Sequence, residues 1–152
     1  MKNTDIINHF KITIPAKSAN EGFSRSLISS FISQLDPTLE ELCDVKTAVS
    51  EAVTNCIVHA YKDTTPDNDK PIYISAYYTK DNLLVIKIRD KGIGIENVEK
   101  AMEPLFTTAA SGERAGLGFA VMESFMDKIK VNSRPGKGTT VTLEKRIWGK
   151  CI

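Results

Sequence analysis

The chain has 152 residues, of which 41% are hydrophobic and 26% charged. This composition excludes disordered, collagen-like and low-complexity proteins and fits one globular domain over residues 1–152. Twenty basic and nineteen acidic residues give a formal charge of +1, so nucleic acid and anionic membranes are not favoured as general partners. The three scattered cysteines and the lack of a long apolar run predict a soluble cytoplasmic protein with reduced thiols.

The first half of the chain predicts one strand followed by two helices. Apolar residues alternate over 9–14, as in a short strand, and a proline follows them. Apolar residues then recur at helical spacing over 20–35. Thr38 and Glu41 have the spacing of a capping box, which predicts that a long helix begins here and continues to about Tyr61. The polar segment 62–71 predicts a surface loop.

The second half predicts two antiparallel hairpins. The β-rich runs 72–79 and 83–90 are separated by three residues, which is too short for anything but a hairpin. Two further runs, 129–133 and 139–144, repeat this arrangement around a glycine-rich turn. Short helices are expected between the hairpins, near 96–102 and 117–126. These elements predict an α+β fold, a two-layer sandwich with helices over one face of the sheet.

The long helix contains the first candidate for chemistry. Helical periodicity places Glu51 and Asn55 together, opposite an apolar side that contains Val45, Val49 and Cys56. A carboxylate and an amide oxygen one turn apart can hold a magnesium ion, directly or through water, and can take a proton from a hydroxyl. An ordinary solvated helix face is the alternative interpretation.

A second candidate stands where the apolar run 83–90 ends. Asp90 is followed by Gly92 and Gly94, and glycines allow a ligand to approach the backbone closely. The carboxylate can accept a hydrogen bond from a planar amino group such as that of adenine. A plain turn is the alternative, since Asp and Gly are common turn residues.

Two more glycine-rich segments follow. Residues 112–118 lead into the last predicted helix, so their backbone amides can face an anion, and Arg114 can add a contact to phosphate. Residues 134–140 are explained by a tight turn alone. The sequence contains neither a phosphate-binding GxxxxGK[ST] loop nor the three-glycine dinucleotide fingerprint, which excludes those two nucleotide-binding folds.

In their order and spacing, these four segments resemble the N, G1, G2 and G3 boxes of the GHKL ATPases, the family of DNA gyrase and the histidine kinases. The matching residues are Ser50-Glu51-Ala52-Val53-Thr54-Asn55, Asp90-Lys91-Gly92-Ile93-Gly94, Gly116-Leu117-Gly118-Phe119 and Gly138-Thr139-Thr140. Residues 103–108 and 121–127 further resemble the sporulation anti-sigma F factors, and the whole resemblance spans about 11–144. It implies the GHKL sandwich, with a mixed, mainly antiparallel sheet.

The resemblance also implies a role for individual residues. Glu51 would be the catalytic general base, Asn55 would coordinate magnesium, and Asp90 would bind the adenine amino group. Residues from about 103 to 115 would form an ATP lid. The other expected nucleotide contacts are Gly92, Gly94, Thr107, Thr108, Arg114, Gly116, Leu117, Gly118 and Thr139 or Thr140.

Proteins of the group that the chain resembles bind a sigma factor, keep it from RNA polymerase, and phosphorylate a serine of an anti-anti-sigma factor. The resemblance therefore implies an ATP-dependent protein serine kinase that uses ATP and Mg²⁺ and works as a cytoplasmic homodimer. Direct contact with nucleic acid or a membrane is not expected. Arg25, with the first strand and helix, is expected at a dimer or partner surface, although a solvated charge explains Arg25 equally well.

Three other functions stay open on the sequence alone. One is the related serine kinase of the general stress response. Another is a module that only sequesters its sigma factor, which the presence of both Glu51 and Asn55 disfavours because sequestration needs no general base. The third is an isolated ATP domain of a histidine kinase, which is disfavoured because no helix with a phospho-accepting histidine precedes Glu51.

Overall fold

A computed structural model describes residues 5–62, 70–103 and 118–149. The strands are β1 (Ile6–Pro15), β2 (Pro71–Thr79), β3 (Leu83–Asp90), β4 (Lys128–Arg134) and β5 (Gly138–Arg146). The α-helices are α1 (Ala19–Ile32), α2 (Leu39–Asn55), α3 (Val98–Ala101) and α4 (Phe119–Phe125). A 3₁₀ turn at Ser33–Leu35 follows α1, and a π-helical turn at Cys56–Ala60 continues α2.

The five strands form one sheet in the order β1-β2-β3-β5-β4. Every pairing among the described residues is antiparallel, so this part of the sheet is antiparallel throughout, whereas the resemblance implied some parallel pairing. Both predicted hairpins are confirmed, with Tyr78 opposite Leu84 in one and Arg134 opposite Gly138 in the other. The predicted α+β fold is likewise confirmed.

The core lies between one face of the sheet and the helices. Helix α2 packs against both α1 and α4, and its buried side includes Val45, Val49 and Val53. The sheet contributes alternate residues such as Ile86 and Ile88. Burying an aliphatic side chain of this size stabilises the fold by about 1.5–3 kcal/mol, so this apolar side of α2 holds the helix on the sheet.

The start of α2 has the capping box that the sequence predicts. The Thr38 hydroxyl accepts a bond from the Glu41 backbone N–H at 3.1 Å, and the Glu41 carboxylate accepts one from the Thr38 N–H at 2.9 Å. The same carboxylate accepts bonds from the backbone N–H groups of Trp148 and Gly149. Glu41 thereby joins the segment after β5 to the beginning of α2.

The end of α2 differs from the prediction of a regular helix to Tyr61. The last turn, Cys56–Ala60, is π-helical, and the Ala60 carbonyl accepts a bond from the Ile93 N–H at 2.8 Å. The loop after β3 thus packs directly on this wide turn. Sequence periodicity cannot predict this contact, because Ala60 and Ile93 are far apart along the chain.

Other boundaries shift by a few residues. Strand β1 extends over Ile6–Pro15 rather than 9–14, because it pairs along nearly its whole length with β2. Helix α3 has four residues, fewer than the predicted 96–102. Most of the predicted loop 62–71 lies outside the described residues. In the part of the chain described here, no helix is long and apolar enough to cross a bilayer.

Candidate functional site

A cavity of about 200 Å³ opens between the end of α2, the loop after β3 and the sheet. Its polar lining residues include Asn55, Asp90 and Thr139, and Ile88, Phe119 and Val141 are among the apolar ones. Pockets for drug-sized ligands usually have roughly 300–1,000 Å³. The cavity therefore suits one planar heterocycle better than a complete nucleotide.

Asp90 is the buried acid of this cavity, with 5% of its surface exposed. Its Oδ1 accepts backbone bonds from Gly92 N–H at 2.9 Å and Thr139 N–H at 3.2 Å. Its Oδ2 accepts a weaker bond from the Cys56 thiol, with Sγ at 3.7 Å. The carboxylate is thus oriented by β5, by its own loop and by α2 before any ligand arrives.

Burial sets the electrostatics of this pair. It raises the pKa of Asp90 above the ordinary value, against the opposing effect of the bonds from Gly92, Thr139 and Cys56. Burial also raises the pKa of the Cys56 thiol well above its ordinary value, and the neighbouring Asp90 charge adds to this effect. Cys56 therefore stays protonated at neutral pH and acts as the hydrogen-bond donor.

Gly92 is required by close packing. A Cβ atom at this position would overlap the carbonyl group of Ala60, at the end of the π-helical turn. The adjacent Lys91 N–H donates a bond at 2.7 Å to the Tyr61 hydroxyl, which in turn donates one at 2.6 Å to the Pro71 carbonyl. Burial raises the pKa of Tyr61 to about 12, so this bridge stays neutral and intact at physiological pH.

Glu51 and Asn55 lie next to the cavity in different ways. Asn55 lines it, whereas Glu51, one turn earlier on α2, is outside the lining set. The Glu51 carboxylate lies against Gly118, which precedes α4 with φ of 71°. A Cβ atom on Gly118 would collide with that carboxylate. The side chain of the predicted general base therefore extends from α2 to the start of α4 and does not line the cavity.

The donor chemistry of Glu51 and Asn55 fits magnesium, which prefers carboxylate and amide oxygens. Within residues 5–62, 70–103 and 118–149, no group of three or more His, Cys, Asp or Glu residues is placed to hold a metal ion. A magnesium ion at Asn55 would accordingly take most of its ligands from water and phosphate oxygens, as magnesium in nucleotide sites commonly does.

The structure brings part of the predicted set together. Asn55, Asp90, Gly94 and Thr139 line one cavity, and Gly92 donates to Asp90. Thr140, the alternative to Thr139, pairs with Arg89 and lies on the other face of the sheet, because side chains alternate along a strand. The remaining predicted contacts, Thr107, Thr108, Arg114, Gly116 and Leu117, lie outside the described residues, as does all but the first residue of the predicted lid.

Arg25 lies on α1 and does not line the cavity. Its side chain is about half exposed and pairs with Glu21, with Nε and Oε1 at 2.9 Å. Glu21 also accepts a bond from the Ser50 hydroxyl, and this bond, more than the pairing with Arg25, lowers the pKa of Glu21. Arg25 is thus connected through Glu21 to the residue next to Glu51.

Sequence reasoning missed several lining residues. It assigned Cys56 to the apolar side of the helix and gave His59 no role, yet both line the cavity. Phe119 lines it as well. The apolar periodicity of α2 predicts that Cys56 is buried, but it cannot show that the cavity opens into the core at this point.

Comparison with known proteins places this site in a family context. Residues 14–145 match the family model described as a histidine kinase-like ATPase domain. The chain is 51% identical over 140 residues to a protein of Caldanaerobacter subterraneus subsp. tengcongensis named anti-sigma F factor, covering 92% of this chain and 94% of that protein. A Clostridium acetobutylicum protein of the same name is 52% identical, with the same coverage of both chains.

Solved structures share the fold at low sequence identity. One contains the RsbU and RsbW domains of a Mycobacterium tuberculosis protein and has a TM-score of 0.65 at 18% identity; the match covers 93% of this chain and a third, 33%, of that longer one. The catalytic domain of the histidine kinase ThkA has a TM-score of 0.53 at 16% identity, with 93% and 97% of the two chains covered.

Proposed function

The chain belongs to the histidine kinase-like ATPases and, within them, to the anti-sigma F factors, and on that premise we propose two linked activities for it. It binds and inhibits a sporulation sigma factor in the cytoplasm, and it uses ATP to phosphorylate a serine of an anti-anti-sigma factor. The observation that supports this most is the cavity, of a size for one adenine ring, that the oriented Asp90 carboxylate and Asn55 both line.

In this proposal Asp90 recognises adenine. Its Oδ1 is engaged by two backbone donors and its Oδ2 by the Cys56 thiol alone, so Oδ2 accepts the further bond from the exocyclic amino group. The apolar lining, including Ile88 and Val141, supplies contact to the faces of the ring. A guanine presents an oxygen at the corresponding position and would meet the carboxylate as a second acceptor. The pocket is therefore expected to prefer adenine over guanine.

In this proposal Glu51 is the general base for phosphoryl transfer. The partner's serine oxygen attacks the γ-phosphorus of ATP, the bond from that phosphorus to the β,γ-bridging oxygen breaks, and ADP leaves. The serine proton passes to the Glu51 carboxylate. Asn55 would hold a magnesium ion, which supplies neutralisation of phosphate charge. The proposed lid contacts Thr107, Thr108, Arg114, Gly116 and Leu117 would enclose the phosphates.

Partner binding is proposed for the surface of α1 around Arg25. Arg25 is exposed and belongs to α1, which packs on α2. A sigma factor or anti-anti-sigma factor that contacts Arg25 would compete for its pairing with Glu21. We include a homodimer in the proposal, with β1 and α1 near its interface.

The test is transfer of labelled phosphate from ATP with magnesium to a candidate anti-anti-sigma protein. We compare the unchanged chain with Glu51→Gln and Asn55→Ala, and use Glu40→Gln, an exposed glutamate of the first turn of α2, as the matched control. Label on a partner serine that is lost in the first two variants and kept in the control supports the proposal. Transfer by Glu51→Gln at the unchanged rate would rule out the general base.

The second reading, a sequestering module, predicts a different result. The unchanged chain would then bind the sigma factor and show no transfer at all. Gel filtration with the purified sigma factor, run beside the kinase assay, measures this directly. Sigma-factor binding without phosphoryl transfer would contradict the proposed kinase activity. Phosphoryl transfer without sigma-factor binding would contradict the proposed anti-sigma activity.

A further inference from the structure

The face of the sheet opposite the helices is basic. Along each strand, residues alternate between the core and this open face, as Ile86 and Ile88 are buried and Lys87 is exposed. The described strands place one acidic residue, Glu144, on the open face. The basic residues exposed on it are Lys11, Lys87, Arg89, Lys128, Lys130 and Arg134.

Three of these lysines stand in one row across the sheet. Lys11 pairs with Ser75, and Ser75 pairs with Lys87. Lys87 pairs with Thr142, which also pairs with Lys130. Lysine and hydroxyl side chains therefore alternate over the five strands. Neighbouring strands lie about 4.8 Å apart, so the lysines recur at intervals of roughly 10 Å.

This spacing selects the shape of a ligand. Seven residues of an α-helix rise about 10.5 Å and make nearly two full turns, so acidic side chains seven apart lie on one side at the lysine spacing. In an extended chain roughly 10 Å corresponds to three residues, and successive positions three apart point to opposite sides. A helix can therefore bring a carboxylate to every lysine of the row, whereas a strand cannot.

We propose that the open face of the sheet docks an acidic helix of a partner protein, lying across the strands with carboxylates at two-turn intervals over Lys11, Lys87 and Lys130. Charge complementarity identifies the partner, and Ser75 and Thr142 supply hydroxyl donors between the lysines. The surface is separate from the nucleotide cavity, which opens on the helix side, and the inference does not depend on the proposed kinase activity.

Two other occupants fit the face less well. A second copy of this chain packed face to face would present the same basic row, and like charges facing each other repel; the homodimer proposed above would instead meet at α1 and at β1, which is an edge strand of the sheet. Proteins that bind single-stranded nucleic acid commonly stack successive bases on aromatic side chains. Of the two β2 tyrosines that share this face with Ser75, Tyr73 has its ring covered by the Arg89 guanidinium, 4.4 Å from its centroid, with the Lys91 ammonium at 5.4 Å, which leaves Tyr77 as a single ring rather than a stacking series.

The test uses two labelled helical peptides of identical composition, built on an alanine and glutamine background with three glutamates. In one peptide the glutamates are seven residues apart; in the other they are five apart and spread around the helix. Fluorescence anisotropy with the full chain at low salt measures their binding. We expect the peptide whose glutamates are seven residues apart to bind at least about tenfold more tightly than the other peptide, and to lose affinity as the salt concentration rises.

Lys87→Glu is the variant for the centre of the row, and Lys80→Glu, at an exposed position in the β2–β3 turn, is its control. We expect Lys87→Glu to lower the affinity for the peptide with glutamates seven residues apart about tenfold or more, and Lys80→Glu to leave that affinity unchanged. Both variants should bind adenine nucleotide like the unchanged chain, which shows that they are folded.

Three results would overturn the proposal. Equal affinity for the two peptides would mean that only diffuse charge attraction acts. Tighter binding of an oligothymidine strand than of the peptide, lost in Lys87→Glu, would make the face a nucleic-acid surface. A lower sedimentation mass of Lys87→Glu without any ligand would make it an interface between copies of this chain.

Discussion

The two ends of the candidate site are built from different parts of the molecule. At the proposed adenine end, Asp90 is buried and oriented by Gly92, Thr139 and Cys56, which come from separate elements. At the other end, Glu51 projects from the partly exposed side of α2 toward Gly118. The proposed adenine end is therefore part of the buried core, whereas the proposed catalytic end is a partly exposed side chain on α2. Changes at Asp90 should therefore alter nucleotide affinity, whereas changes at Glu51 should alter the rate of phosphoryl transfer.

The largest expected effect is that of Glu51→Gln on phosphoryl transfer. Loss of a general base typically costs about 10²–10⁴-fold in rate, whereas this polar change away from the core should alter the free energy of unfolding by no more than about 0.5 kcal/mol. Single-turnover kinetics and urea unfolding measure the two quantities. A large loss of stability would show that the two ends are not independent.

Gly118→Ala tests the same end through the backbone. Residue 118 has φ of 71° and touches the Glu51 carboxylate, so alanine costs about 1–2 kcal/mol of backbone strain and displaces Glu51. We expect transfer to fall by about 10–100-fold, in keeping with a misplaced catalytic group. Adenosine affinity, measured by calorimetry, should change little. An equal loss of adenosine affinity would place Gly118 at the adenine end of the site instead.

Asp90→Asn should show the opposite pattern. We expect adenine nucleotide affinity to fall by about 10–100-fold, because the NH2 group that replaces Oδ2 donates hydrogen bonds and cannot accept one from the adenine amino group. The free energy of unfolding at pH 7 should stay the same or rise, because asparagine can keep the two backbone bonds and no charge is buried. Calorimetry and urea unfolding of the two chains test both parts. A clear loss of stability would mean that the carboxylate charge itself supports the fold.

The pH dependence of that stability difference follows from the raised pKa of Asp90. A carboxyl group whose pKa is higher in the folded than in the unfolded state binds protons more tightly when folded, so its contribution to stability rises as pH falls through the folded pKa. The stability advantage of Asp90→Asn should therefore shrink between pH 7 and the ordinary Asp pKa. Unfolding titrations of both chains across that range measure it; an advantage that grows on acidification would contradict the burial effect.

The smallest effects are expected at Cys56. Cys56→Ser keeps a donor to Asp90 and should leave nucleotide affinity within about twofold, while Cys56→Ala removes the donor and should cost about 1 kcal/mol of stability and a few-fold in affinity. Thermal unfolding and calorimetry of the pair separate hydrogen bonding from packing. Identical behaviour of the two variants would show that the thiol contact to Asp90 has no role.

Local features of the fold could be predicted from the sequence. The capping box at Thr38 and Glu41 and the two hairpins depend on residues that are close along the chain, and each is present as predicted. The contact between Asp90 and Thr139 joins residues 49 positions apart, and no periodicity encodes such a distance. Only the resemblance of their boxes to a known family indicated that they meet.

Features that arise from packing could not be predicted. The π-helical turn packs on the loop after β3, which is distant along the chain, and Cys56 and His59, which line the cavity, belong to that turn. The basic row needs the strand order, since Lys11 and Lys130 become aligned only when β1 and β4 lie at opposite edges of one sheet. The sequence shows near-neutral charge overall, and the fold is what separates the charges.

The wide turn at Cys56–Ala60 makes the number of residues between Asn55 and Tyr61 a structural requirement in its own right. Removing one residue would restore ordinary helical spacing and rotate everything that follows by about 100°, carrying the Ala60 carbonyl away from Ile93. Most side-chain replacements leave the backbone path intact. Among variants of this chain, changes of length in this segment should therefore be tolerated far less than changes of identity.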